Sequence, residues 1–176
     1  MKKTIIIIAA VTISLFSCNN STTTKNETPS TPTENVSNKT GEFTIDGKKI
    51  TGEVTTQYFG SDKEKSNFSV LCQHNEGGND NPNFELLQVT FINEKDATTA
   101  PLKIYSGSTL PMTEPESGSV TIALSGVGEG FNNEEFVGTD KPSGSIAVTD
   151  RKIIIKEVVL ATRSGAKKTV SATIPF

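Results

Sequence analysis

The stretch Ser119-Val120-Thr121-Ile122-Ala123-Leu124-Ser125 places an aliphatic residue at every second position, with small or polar residues between them. Successive side chains of a β-strand point to opposite sides of the sheet, so this alternation predicts a strand with one buried face. The same period of two recurs at the end of the sequence, at Val170, Ala172, Ile174 and Phe176. Two well-separated strands of this kind indicate a sheet-based core.

Further strands are predicted between these two and toward the N-terminus, joined by segments rich in Gly, Asn, Asp and Pro. Turns are predicted at Asp46-Gly47, near Asp150-Arg151 and at Ser164-Gly165. No stretch shows the 3.6-residue period of an amphipathic helix. We therefore expect a single all-β domain over residues 41–176, an antiparallel sandwich or barrel of about eight or nine strands. Two segments, 84–92 and 153–160, are apolar at both alternating positions and are expected to be buried on both faces.

The N-terminus has the pattern of an export signal. Two lysines follow Met1, and residues 5–16 form an apolar run too short for an ordinary membrane span. The run ends in Leu15-Phe16-Ser17-Cys18, which resembles the lipobox of bacterial lipoproteins. The resemblance implies cleavage of residues 1–17 and lipidation of Cys18, with the membrane as partner through this anchor. Asn19 follows the cysteine in place of an aspartate, so we expect an outer-membrane anchor, with the periplasmic face favoured over the cell surface.

Residues 18–40 are expected to be the lipidated cysteine and a disordered linker, because 17 of the 22 residues after Cys18 are Ser, Thr, Asn or Pro. Such a segment buries too little apolar surface to offset its ordering entropy. Whether sugars modify this linker stays open. A lipobox, a polar linker and a β-domain that opens with Phe43-x-Ile45-Asp46-Gly47-Lys48 resemble small lipoproteins of unknown function from Gram-negative bacteria.

Composition excludes several classes of function. The chain has 176 residues, a formal charge of −3, one His and two Cys. These counts cannot supply a His/Cys zinc site or a Cys-ligated cluster, so neither metal nor cofactor is expected. A slightly acidic chain also lacks the basic surface that nucleic acids require. About a quarter of residues 41–176 are Leu, Ile, Val or Phe, enough for the core of a domain that we expect to be monomeric.

One possible catalytic pair is Cys72 and His74, which would point to the same side of a strand. A thiol beside an imidazole can act as a nucleophile with its base. Cys72 also shares the register of Phe68 and Val70, however, so a buried structural cysteine is favoured. We expect no catalytic residue.

Loops are the remaining place for recognition, since a rigid scaffold commonly carries its binding residues there. The longest breaks in the strand pattern are residues 75–83, 106–117 and 126–143. The last of these is either functional or conceals another short strand. The candidate binding residues in these loops are Asp80, Phe131, Glu134, Glu135 and Phe136.

Two functions stay open. The favoured one is a non-catalytic binding or interaction module on the outer membrane, with an unknown protein or glycan partner. The alternative is a hydrolase of an envelope polymer that uses a pair of carboxylates as acid and base.

Overall fold

The structure is a computed structural model that describes residues 33–76, 83–98, 103–104, 116–128, 130–139 and 143–176. The expected signal segment and Cys18 lie outside these ranges. No helix in the described ranges is long and apolar enough to cross a bilayer.

The regular elements of the described chain are ten strands and one short 3-10 turn. The strands are β1 (Thr33–Ile45), β2 (Lys48–Phe59), β3 (Asn67–Glu76), β4 (Asn83–Phe91), β5 (Lys103–Ile104), β6 (Ser119–Val127), β7 (Phe136–Gly138), β8 (Ser145–Thr149), β9 (Lys152–Ala161) and β10 (Lys167–Pro175), and the turn is Asp96–Thr98. The prediction of an all-β domain is confirmed.

Eight of these strands close into an antiparallel barrel. The order around the ring is β1, β2, β3, β4, β6, β7, β9 and β10, and β10 pairs with β1 to complete it. Strand β8 extends the edge of β9, and β5 lies parallel to the start of β6. Of the two expected architectures, the barrel is therefore the one adopted. A closed ring leaves no open sheet edge among its members.

Strand β1 begins at Thr33, inside the stretch for which a linker was expected. Its first residues pair with the end of β2, and the register shifts between Val36 and Lys39. Backbone hydrogen bonds can hold a strand extension whose sequence is mostly polar. The composition of this stretch therefore did not predict the strand.

The barrel interior is filled by one face of each strand. In β4 the buried residues are Glu85, Leu87, Val89 and Phe91, whereas Leu86 is half-buried. The expectation that this strand is buried on both faces is therefore too strong. The large side chains that are almost completely buried are Phe43, Phe68, Phe91, Leu87, Ile122, Leu124, Ile153, Ile155, Leu160, Ile174, Val54 and Val70. Side chains that fill a small barrel leave recognition to its ends.

A β-bulge explains the unusual apolar pattern of β9. Ile153 and Ile155 face inward before the bulge, and Val158 and Leu160 face inward after it. Glu157 adopts a φ of 52°, and its N–H donates to Ser171 Oγ at 2.9 Å. One inserted residue moves the buried positions by one, so the strand looks apolar on both faces in sequence.

Strand β7 was concealed in the long break at residues 126–143. It has three residues, and it joins β6 to β9 through pairs such as Leu124 with Phe136. Phe131 and Phe136 are both buried, with ring centroids 6.0 Å apart. The expectation that these rings serve as apolar anchors on a binding loop is wrong, because they belong to the core that closes the barrel.

The chain direction divides the loops between two ends of the barrel. The proximal end is the one where β1 begins and β10 ends, and it carries Tyr58, Phe91 and Arg151. The distal end carries the Asp46-Gly47 turn and the ends of β3, β6 and β9. All three predicted turns are present. The φ angles are 50° and 87° at Asp46-Gly47, 51° and 55° at Asp150-Arg151, and 91° at Gly165 of the Ser164-Gly165 turn.

Candidate functional site

An open cleft of about 610 Å³ lies at the proximal end. It is built by three separate segments: the loop after β2, the segment that follows β4, and the turn between β8 and β9. The residues that line it are Lys63, Glu64, Asn93, Glu94, Lys95, Thr98 and Arg151. All seven side chains carry a polar or charged group, which makes this cleft the candidate site. We call it the proximal cleft.

Glu94 is held from two sides. The Tyr58 hydroxyl donates to its Oε2 atom, and Arg151 Nη2 donates to its Oε1 atom at 3.1 Å. The Tyr58 hydrogen bond lowers the pKa of Glu94, burial opposes this effect, and Arg151 adds to the lowering. The pKa of Tyr58 is raised to about 12, first by burial and then by Glu94. At neutral pH the pair is therefore a carboxylate and a protonated phenol.

Arg151 occupies a conformation that a non-glycine residue seldom adopts, with a φ of 55°. Its Nε donates to the Phe176 main-chain oxygen at 3.2 Å, and its guanidinium lies 5.0 Å from the centre of the Phe176 ring. Lys39 Nζ donates to the same oxygen at 2.7 Å. A strained backbone conformation persists only where surrounding contacts hold it in place, and such positions often lie at functional sites. Here the strained turn aims the guanidinium at Glu94 and fixes one wall of the proximal cleft.

The raised pKa of Tyr58 leads to a prediction. The unfolded phenol titrates near 10 and the folded one near 12, so this group favours the folded state below pH 10. That contribution is lost as the pH rises through about 12. A difference titration of phenolate absorbance between the native protein and a Tyr58→Phe variant isolates the Tyr58 step.

We expect that step near pH 12, and a lower midpoint in a Glu94→Gln variant, which removes the negative charge and the strong acceptor. Burial, the largest cause of the shift, remains in this variant, so its midpoint should stay above 10. A Tyr58 midpoint near 10 in the native protein would contradict the described hydrogen bond.

The distal end carries a buried charged group that sequence reasoning missed. Glu85 occupies an inward position of β4 and is 4% exposed. Its neighbours across the sheet are His74 on β3 and Gly126 on β6. The signal in the sequence is a glutamate in the alternating series Glu85, Leu87, Val89 and Phe91. We call the surroundings of Glu85 the distal mouth.

The candidate residues from the sequence are scattered. Glu134 accepts a hydrogen bond of 2.8 Å from the Ser164 hydroxyl, and Glu135 is exposed. Asp80 lies outside the described residues. The described ends of two of the three predicted loops, 75–83 and 126–143, are neighbours at the distal end, where a Cβ atom on Gly128 would lie 3.4 Å from Asn83 Oδ1. The loop at 106–117 ends on the other side, where the Ser117 hydroxyl donates to Asp96 at 3.0 Å.

Cys72 is buried, as its register predicts. Burial raises the pKa of its thiol to about 11, which disfavours the reactive thiolate at neutral pH. In the part of the chain that the structure describes, no three His, Cys, Asp or Glu side chains gather in a way that could hold a metal ion.

Comparisons with protein-family models, with curated proteins and with solved structures find no match to this chain. Its site therefore has to be interpreted from its own geometry.

Proposed function

We propose that this protein is a non-catalytic binding module, anchored to the outer membrane by lipid on Cys18, and that it binds its ligand in the proximal cleft. The observation that carries the proposal is the contrast between a filled barrel interior and an open polar cleft at one end. Loops on a rigid barrel are a common place for binding residues. Strand β1 also begins at this end, so a tether from a lipidated Cys18 would enter the barrel on the side of the cleft.

The charges of the proximal cleft favour a ligand with an anionic group. Three of its lining residues, Lys63, Lys95 and Arg151, are basic, and two, Glu64 and Glu94, are acidic. Arg151 pairs with Glu94, so these two charges offset each other and leave Lys63 and Lys95 against Glu64. A net positive cleft attracts anions and speeds their encounter. A polar partner, protein or glycan, that carries a carboxylate or phosphate fits these features.

The pKa shifts favour binding over acid–base catalysis. A carboxylate pair in a hydrolase needs one member with a raised pKa to act as the acid. Glu64 and Glu94 both line the proximal cleft, and the lowered pKa of Glu94 suits the base of such a pair but not the acid. Tyr58 and Cys72 shift upward, away from neutrality. Hydrolysis of an envelope polymer is therefore the weaker proposal.

The experiment is capture of ligands from native envelope by the full-length protein, with bound molecules identified by mass spectrometry. A Lys63→Glu variant reverses one charge in the proximal cleft. We expect it to bind the captured ligand roughly tenfold more weakly, a loss of about 1.4 kcal/mol. The matched control is Lys167→Glu, an exposed lysine near the distal end, which should bind like the native protein.

Equal binding by both variants and the native protein would contradict a ligand in the proximal cleft. Turnover of the captured molecule by the native protein would instead favour the hydrolase.

A further inference from the structure

The carboxylate of Glu85 is buried without adequate compensation. Its side chain is 5% exposed, and its Oε2 atom has no hydrogen-bond partner within the described chain. A buried ionised carboxylate is costly unless it is paired and hydrogen-bonded. When a native barrel has a buried carboxylate at an inward position, the group therefore calls for an explanation, such as a function or a bound partner.

Among the described residues, the neighbours of Glu85 on the adjacent strands do not supply the missing donor. His74 is the partner of Glu85 on β3, but its Nδ1 donates to the Thr51 carbonyl oxygen at 2.9 Å, and its Nε2 lies 3.5 Å from Glu76 Oε2. Gly126, the partner on β6, has no side chain. Lys48 Nζ lies 3.7 Å from Glu85 Oε1, beyond hydrogen-bond length, and the Lys48 side chain is 70% exposed. Lys48 is therefore a solvent-exposed ion-pair partner of the carboxylate that does not hydrogen-bond to it.

The distal mouth already accommodates one ammonium group. Lys168 Nζ lies 4.9 Å from the centre of the Phe131 ring and 5.2 Å from that of Phe136. The Lys168 side chain is 13% exposed, and its Nζ lies 3.9 Å from Asp46 Oδ2. Aromatic faces and nearby carboxylates both attract cations.

Phe131 brings this aromatic surface close to Glu85. A Cβ atom on Gly126 would lie 2.8 Å from the Phe131 ring, so the ring rests directly on the backbone opposite Glu85. A glycine at this position leaves room for the Phe131 ring beside the backbone that pairs with Glu85.

We propose that the distal mouth is a second binding site, which takes a ligand with a primary ammonium group that pairs with Glu85 and replaces Lys48. An ammonium group has three donors, so it can hydrogen-bond to the carboxylate and neutralise its charge together. A water molecule could satisfy Oε2 but would bring no positive charge closer than the ammonium group of Lys48. The terminal amine of a lysine side chain or of an amino sugar has the required chemistry.

The test uses n-butylammonium as the probe, with n-butanol as its uncharged counterpart. Binding to the full-length protein is followed through the amide resonances of His74 and Gly126. We expect saturable shifts with the amine and none with the alcohol. A Glu85→Gln variant keeps the shape of the side chain and should bind at least about tenfold more weakly, as expected for a hydrogen bond to a charged group.

Two further variants separate this site from general attraction of amines. Glu53→Gln removes an exposed glutamate from β2 and should leave binding unchanged. Lys48→Met keeps the stem, removes the competing ammonium group and should tighten binding. Equal affinity in Glu85→Gln and Glu53→Gln, or no saturable shift at His74 and Gly126 in the native protein and in Lys48→Met, would overturn the proposal and leave buried water as the partner of Glu85.

Discussion

Replacing Phe68 by Ala should lower the free energy of unfolding by about 3–5 kcal/mol. Phe68 is 1% exposed, and its ring centre lies 5.1 Å from that of Tyr58, 5.9 Å from that of Phe176 and 6.4 Å from that of Phe91. Truncation removes buried apolar area and leaves a cavity among rings that the barrel fixes in place. Because small domains are stable by about 5–15 kcal/mol, the loss is a large share of the total.

The matched control for this prediction is Phe59→Ala. Phe59 lies on β2 beside Tyr58, but it is 42% exposed. Its truncation should change stability by about 0.5 kcal/mol or less. Urea unfolding followed by circular dichroism measures both variants, and similar midpoints for the two would contradict the described aromatic core.

Replacing Cys18 by Ala should abolish lipidation. The chain has two cysteines, and Cys72 is buried within the barrel with a raised thiol pKa. Each acyl chain contributes about 0.8 kcal/mol of membrane affinity per buried methylene, so two or three chains hold a protein permanently. Growth with an alkyne-labelled fatty acid should label the native protein and leave the Cys18→Ala variant unlabelled.

Here the matched control is Cys72→Ala, which should take up the label like the native protein. Label on the Cys18→Ala variant, or loss of label from Cys72→Ala, would refute the lipoprotein proposal.

The alternation of apolar and polar residues predicted the strands well, because this alternation lies within the sequence of each strand. Val120, Ile122 and Leu124 alternate in the sequence and are buried in the barrel. The turns at Asp46-Gly47 and Ser164-Gly165 were also predictable, since glycine readily adopts positive φ. Closure was not predictable, because the pairing of β1 with β10 joins residues far apart in sequence, such as Phe43 and Ala172.

The functional features were harder to predict for a related reason. The proximal cleft needs Lys63, Glu94 and Arg151, which come from three separate segments and meet only once the barrel has closed. Glu85 was hidden in a strand that was expected to be buried on both faces. A short strand within residues 126–143 stayed an open alternative, because the three residues of β7 are too few to show a period of two, and Phe136 was therefore counted among the loop residues.

The most direct test is to locate the captured ligand by its effect on backbone amide resonances of the full-length protein. Binding in the proximal cleft predicts saturable shifts at Lys63, Asn93 and Arg151, with the interior strands such as β6 unperturbed. Shifts that cluster instead in the barrel interior, or on the outer face of β1 and β10, would contradict a binding module whose site is the open end of a filled barrel.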